Sequence, residues 1–408
     1  MRFIDGRPLK ENTIMKKFLY LIFVLLSDLT YAQVKNGDRV PDLNFETVLN
    51  APVQATRLSK LRGKVVLIDF WATWCGSCLE AMPHLKALQA KYPKQLQVIS
   101  VNDETVKRTG LYLKSKPSNL WFAVDTGRAI AAVFPHQLIP HTIVIDQDGK
   151  LVAAASPAAI TAKVIDSLLA KKEVHLAEKK DNLLSYEDLI KQNFFAADTV
   201  QNRFMMQGEI KGGPGLSTIH LDDKIFNGRR ITCINLPITT LYMIAYGNFP
   251  YGRMIDQTKN GQKVPVYCLD LIVKNKEDLM PALKTELARR FDLQAKIEPV
   301  LKEVRVLKIT DAEKFKTLAR NHSGSRTYYS RHGEIDQQSM TMKDFAGFLE
   351  NYGINKLVVD ETGNNEKLDI KFTFQPENPQ SLFDILYGMG LTLTKEQRKI
   401  DILVLYKL

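Results

Sequence analysis

The sequence predicts an α/β domain followed by an α+β region, and three observations carry that reading. From Val34 to about Lys172, short apolar runs alternate with helical patterns, the rhythm of a sheet covered by helices. The stretch AKKEVHLAEKKDNLLSYED (Ala170–Asp188) is charged and has no strong core pattern, so residues 173–190 read as a linker, in part helical. Over residues 191–408, three helical patterns end in Tyr-Gly, and two helical patterns, one of them outside that set, run on into paired strand patterns.

The elements follow in order. Residues 15–33 read MKKFLYLIFVLLSDLTYAQ. A positive pair (Lys16, Lys17), an apolar run (Phe18–Leu26) and the small-x-small step Thr30-Tyr31-Ala32 describe a secretory leader. Residues 1–32 are therefore expected to be a signal peptide cut after Ala32, with translation starting at Met15. The apolar run is too short to cross a bilayer, and no later segment is long and apolar enough to be a second membrane span. The chain is expected in the periplasm or cell envelope, where disulfide chemistry is permitted. The formal charge is +11, but the basic residues are scattered with no run of five or six, which argues against a nucleic-acid partner.

Lys64–Ala72 (KVVLIDFWA) is a buried strand, and Leu79–Tyr92 is a helix with Met82, Leu85 and Leu88 on one face. LQVISVN is a second buried strand, HTIVIDQDGKLVAA a strand, a turn at Asp148-Gly149 and another strand, and AITAKVIDSLLAKK a closing helix. In the second region, Gly247, Gly353 and Gly388 each follow a tyrosine at a helix end, where a glycine supplies a left-handed cap. The helix-then-paired-strand pattern occurs in LMPALKTELARRFDLQAKIEPVLKEVRVLKI and again in SLFDILYGMGLTLTKEQRKIDILVLYKL, about one hundred residues on. That weak repeat would divide residues 191–408 into two subdomains.

The chemistry concentrates in IDFWATWCGSCLEAMP, Ile68 to Pro83. A zinc site needs four ligands, and neither a second C-x-x-C nor a paired histidine stands near Cys75 and Cys78. A static bridge across so short a loop gains little from loop closure. A redox pair explains more. The strand ends near Trp71 and a helix starts near Cys75, so the Cys75 sulfur meets the unpaired N–H groups and the positive end of the helix, which favour a thiolate. Cys78 lies one turn on, where it can attack a mixed disulfide. No glycine-rich dinucleotide fingerprint is present, so no cofactor is expected.

These residues resemble the thioredoxin fold, and more narrowly the TlpA-like thiol–disulfide oxidoreductases of the bacterial envelope. LRGKVVLIDFWATWCGSC, Pro83 five residues after Cys78, and LIPHTIVIDQDGKLV carry the likeness, which covers residues 34–172. The resemblance implies a thioredoxin-like domain with Cys75 as attacking thiol and Cys78 as resolving thiol. It implies that Trp74 shapes the docking surface, that Pro140 is a cis-proline facing the cysteines, and that Ile139 offers backbone hydrogen bonds to an extended substrate. Asp69 matches a buried carboxylate that takes the resolving cysteine's proton, or is a hydrogen-bonded strand residue. Where the group often has an acid three residues after the second cysteine, this chain has Ala81, with Glu80 rotated away. His141 follows the proline in place of threonine, and could approach Cys75 or point to solvent. Cys233 and Cys268, in strand-like segments, could be bridged or be buried thiols.

The second region resembles an uncharacterised domain of soil bacteria and their relatives, on GRRITCINLPITTLYMIAYG, LMPALKTELARRFDL, and MTMKDFAGFLENYGINKLVVDETG with LDIKFTF and SLFDILYGMGL. The whole implies an exported disulfide reductase. Its partners would be disulfide-containing envelope proteins and an upstream thiol electron donor. The alternative is a redox-sensitive binding or signalling protein led by its C-terminal region.

Overall fold

The computed structural model describes residues 34–258, 264–322, 324, 326–331 and 333–407. The expected leader and the start at Met15 lie outside the described residues.

The N-terminal domain is built on a six-stranded sheet. Its strands are β1 (Val48–Leu49), β2 (Val65–Phe70), β3 (Leu96–Asn102), β4 (Trp121–Val124), β5 (His141–Ile145) and β6 (Leu151–Ala155), in the order β1-β4-β3-β2-β5-β6. β2, β3 and β4 run parallel, and β5, β6 and β1 run antiparallel to their neighbours. Every residue of β2 and β3 is buried, as expected for central strands covered on both faces. One face packs against α1 (Gly76–Lys91), Tyr112 of α2 (Val106–Ser115) and α4 (Ala162–Leu169), with Leu67, Leu85, Val98, Phe122 and Ile165 in the seam. The other face carries Val66, Ile68, Phe70, Ile143 and Ile145 under the N-terminal segment and α3 (Ala129–Val133).

Residues 173–185 carry no helix or strand. Helix α5 (Tyr186–Phe194) then begins on Ser185, whose hydroxyl accepts the Asp188 N–H. Leu189, Ile190 and Phe194 bury against Ile234 and Cys268, so part of the segment read as linker belongs to the second body. The apolar face of α5 is diluted by charge in sequence and shows only when folded.

The C-terminal region is α+β and internally repeated. The first unit runs β9 (Arg230–Pro237), α6 (Ile238–Ala245), β10 (Met254–Asp256), β11 (Val266–Ile272), α7 (Leu279–Phe291), β12 (Gln294–Ile309). It is preceded by β7 (Arg203–Gln207) and β8 (Leu216–Ile219). The second runs β13 (Glu334–Met340), α8 (Met342–Phe348), β14 (Val358–Asp360), β15 (Leu368–Thr373), α9 (Pro379–Gly388), β16 (Leu391–Tyr406). Within each unit the first strand pairs antiparallel with its counterpart, β9 with β11 and β13 with β15. Between units the short strands are exchanged: β10 lies parallel to β16, and β14 parallel to β12.

The paired strand patterns after α7 and α9 resolve differently from the sequence expectation. Each is one 16-residue strand, and the two pair with each other from Gln294↔Tyr406 to Ile309↔Leu391. Neither segment contains the Asn-Gly or Asp-Gly step that a tight hairpin needs, so neither folds back on itself. Of the three expected glycine caps, only Gly247 is left-handed (φ 99°). Gly388 closes α9 in helical geometry, and Gly390 (φ 76°) takes the turn into β16 instead. Cys233 and Cys268 are buried free thiols. Cys233 pairs with Leu269, which places Cys268 on the opposite sheet face and out of bonding reach of Cys233 by side-chain alternation.

The two bodies touch beside α2. Arg108 forks onto the carboxylate of Glu377, with Nη1–Oε2 at 2.9 Å, and the Gln375 amide donates to Leu111 O (3.0 Å) and Ser115 Oγ (2.7 Å).

A Cβ at Gly390 would stand 2.2 Å from Asp311 O and 2.9 Å from Phe315 N, whereas one at Gly388 would meet nothing within 4 Å. Gly390→Ala should therefore cost about 2–4 kcal/mol from the left-handed strain and the clash. Gly388→Ala should be neutral, or stabilising by up to about 1 kcal/mol. Urea unfolding of the full chain distinguishes the two; equal effects would contradict the cap assignment.

Candidate active site

The central strand β2 ends at Phe70, and the chain turns through Trp71–Trp74 into α1. Trp71 is core, wedged against Tyr112 and Phe122, while Trp74 is 56% exposed beside the cysteine pair. Cys75 is the N-cap of α1. Its N–H donates to Ala72 O at 3.1 Å, and its carbonyl accepts the Leu79 N–H at 3.0 Å. Its Sγ accepts the Cys78 N–H at 3.2 Å and lies 3.5 Å from Ser77 Oγ. A helix start leaves such N–H groups without intrahelical partners, and here a sulfur stands where a serine or aspartate oxygen caps other helices. Cys75 and Cys78 are joined in a disulfide, and both are buried.

Across from α1, the Ile139–Pro140 peptide is cis, and Ile139 O lies 3.8 Å from Cys75 Sγ. The structure thus gathers Cys75, Cys78, Ile139 and Pro140 at one place, with Trp74 at its rim. A cavity of about 220 Å³ continues from it past Trp71, Trp74, His136 and Ile139 to Arg331 of the C-terminal region.

His141 takes neither of its two expected orientations. It alternates with Thr142 on β5, so it faces the Ile143 and Ile145 side of the sheet, away from α1. There it is buried, stacks on His136 at 4.9 Å, and accepts from Lys179 Nζ at 3.3 Å. Burial and the Lys179 charge push its pKa down to about 4, so the ring is neutral.

Asp69 is buried on β2, on the same face as Leu67 and therefore facing α1, which carries Cys78. Burial raises its pKa to about 7, and the hydrogen bond from Thr142 Oγ1 (2.8 Å) opposes that rise. A carboxyl that gains and loses a proton near neutrality can serve as acid and base. Glu80 is exposed.

Three groups were not legible in the sequence. Glu104, after β3, accepts from both Thr73 N and Thr73 Oγ1 at 2.7 Å. Arg108 Nε donates to Thr73 Oγ1 at 3.1 Å and carries the contact onward to Glu377. Lys179 and Asp181 hold the loop before Pro140. Each acts across a large sequence separation, so no local spacing signals it. Among the described residues, no group of three or more His, Cys, Asp or Glu side chains is placed to hold a metal ion.

A parallel-cored sheet with a Cys-x-x-Cys pair at a helix start and a cis-proline opposite defines a thioredoxin-like domain. Comparison with known proteins agrees. Residues 35–169 match the redoxin family, and residues 257–408 match a family described as protein of unknown function (DUF3738). The chain is 28% identical to the thioredoxin-like protein YneN of Bacillus subtilis (strain 168) over 120 residues, 28% of this chain and 68% of YneN. It is 34% identical to the thiol-disulfide oxidoreductase ResA of a Bacillus cereus strain over 97 residues, 23% of this chain and 56% of that protein. Against ResA of Bacillus subtilis (strain 168) it is 24% identical over 144 residues, 35% of this chain and 73% of that one. The chain thus spans little more than half the length of some of these relatives. Its N-terminal part is a redoxin-family, thioredoxin-like domain of the TlpA type.

The sign of the Asp69 shift gives a test. Its folded pKa lies above the unfolded value, so its contribution to stability is full below about pH 4 and is lost as pH rises toward 7. The neutral isostere Asp69→Asn removes that loss. The variant should match the parent near pH 4 and exceed it at pH 8 by about 2–4 kcal/mol in urea unfolding. Stability curves that stay parallel across this range would show that Asp69 ionises like an exposed aspartate.

Proposed function

We propose that this chain is an exported thiol–disulfide oxidoreductase that reduces disulfides of envelope proteins through Cys75 and Cys78. The observation that carries the reading is the capping geometry: the attacking sulfur accepts the Cys78 N–H at the start of α1, with its partner sulfur one turn on.

In the reduced chain the Cys75 thiolate attacks one sulfur of a substrate disulfide. A Cys75–substrate bond forms, the substrate S–S bond breaks, and the departing sulfur leaves as a thiolate that takes a proton from water. Cys78 then gives its proton to a base and attacks Cys75 Sγ. This forms the intramolecular bond and expels the second substrate thiolate, so two electrons pass from the protein dithiol to the substrate. Asp69, buried on the α1 side with a pKa near 7, is the group we assign to receive the Cys78 proton. Backbone groups of Ile139, whose carbonyl lies 3.8 Å from Cys75 Sγ, are assigned to pair with an extended substrate, with Trp74 as the apolar rim. An upstream thiol donor then restores the dithiol, and no cofactor enters the cycle.

Support for export comes from the leader pattern Met15–Ala32. Support for the reducing direction comes from the likeness to the TlpA group.

Cys75→Ser should abolish reduction of a peptide disulfide, by more than about a thousandfold, because the nucleophile is gone. Cys78→Ser should instead accumulate a mixed disulfide at Cys75, visible as a mass adduct that dithiothreitol removes. An adduct at Cys78 in the Cys75→Ser chain, with activity retained, would reverse the assignment. Equilibration with glutathione buffers tests direction: a potential near about −270 mV is expected, and one near about −120 mV would indicate an oxidant.

A further inference from the structure

The segment that leaves the thioredoxin-like domain does more than connect. Its backbone is fastened to β6, with Lys179 N donating to Ala154 O at 2.8 Å. From there two side chains reach the loop that ends in the cis-proline. Asp181 Oδ2 accepts the N–H groups of both Gln137 (2.9 Å) and Leu138 (2.7 Å). Lys179 Nζ donates to Leu138 O (2.8 Å), to His141 Nδ1 (3.3 Å) and to Asp181 Oδ1 (2.6 Å). The Asp181 side chain is 2% exposed. Burial pushes its carboxyl up, but the bonds from Lys179, Leu138 and Gln137 together outweigh that push and hold it below the usual range. Gln137 returns the contact through Nε2 to Leu184 O at 2.9 Å.

The far side of this strap is gripped by the C-terminal region. Asn182 N donates to Gly212 O at 2.8 Å. Gly212 sits so close that a Cβ there would stand 2.3 Å from Lys180 O. A continuous path therefore runs from the second body through residues 179–184 to the backbone of Gln137–Pro140, and so to the place facing Cys75.

We propose that Asp181, with Lys179, is a positioning residue for substrate docking, and that the strap selects extended polypeptide disulfides over small ones. This rests on the oxidoreductase reading above. The loop lies between Pro135 and Pro140, whose nitrogens donate nothing, so it has few backbone bonds of its own with which to hold shape. Two charge-assisted bonds from one buried carboxylate supply that order. A peptide that pairs with the Ile139 backbone needs the loop already in place, because ordering it on binding would be subtracted from affinity. A small disulfide makes no such pairing and needs only the sulfur.

The test uses the full chain, reduced, with two probes that release the same chromophore. One is an extended eight-residue peptide whose single cysteine is joined to 5-thio-2-nitrobenzoate. The other is 5,5′-dithiobis(2-nitrobenzoate) itself. In both, Cys75 attacks the disulfide and thionitrobenzoate leaves, as the better leaving thiolate. Asp181→Ala should raise the saturation constant for the peptide at least tenfold with its limiting rate held, and change the rate on the small probe by less than twofold. Asp181→Asn keeps an oxygen for the two N–H groups but loses the Lys179 ion pair, and should fall between. Lys179→Met should shift the peptide constant in the same direction and carries the test if Asp181→Ala does not fold. Equal losses on both probes, or no loss on the peptide, would overturn the proposal. A parent chain inert toward both probes would overturn the oxidoreductase reading and the docking role together, and that result is seen before any variant is made.

Discussion

Cys75 Sγ accepts the Cys78 N–H at 3.2 Å, at the first turn of a helix that begins where a fully buried central strand ends. Everything else in the site is arranged around that contact. The strand is held by neighbours on both sides, β3 and β5, and every residue of it is buried. The helix is fixed by Met82, Leu85 and Leu88, buried against the same sheet face. The turn between them is closed by Thr73, whose N–H and hydroxyl both donate to the buried Glu104 carboxylate. A negative charge on the sulfur would therefore meet a preformed N–H group and the positive end of a helix dipole, with no reorganisation needed.

The surroundings of this sulfur carry an electrostatic cost. Asp69 lies buried on the α1 side and accepts a hydrogen bond from Thr142, and its carboxyl stays protonated to about pH 7. A buried carboxyl that titrates near neutrality is the chemistry a proton-transfer site needs, which is the role proposed for Asp69. His141 works the opposite way. It is held neutral on the far face by burial and by Lys179, which donates to its Nδ1, so it adds no charge near the redox pair.

What the sequence shows plainly are features whose physics is local. The run VVLIDF, the Cys-x-x-Cys spacing and the apolar face of α1 each announce themselves within a few residues. The cis geometry at Pro140 was reachable only through likeness to a known group. Less visible were contacts that depend on the folded topology. The two 16-residue strands β12 and β16 read as hairpins because their pairing partner lies about a hundred residues away. The turn after α9 falls on Gly390 instead of Gly388 because Asp311 O and Phe315 N crowd the former. Asp181 sits in a charged stretch with the composition of a linker, and only the fold brings it to Gln137 and Leu138.

The C-terminal region reaches the redox domain through Glu377 on Arg108 and Gly212 on the strap, and both contacts lead back to loops that frame Cys75. These contacts matter only if the sulfur they frame is reactive. The most direct measurement is the pH dependence of iodoacetamide alkylation of Cys75 in the reduced full-length chain, read by mass spectrometry with Cys78→Ser as background. The capping geometry predicts a half-maximal rate at or below about pH 7.5, well under the ordinary thiol value of about 8.5. A midpoint at or above about 8.5 would contradict the account, because the first turn of α1 would then give the sulfur no help.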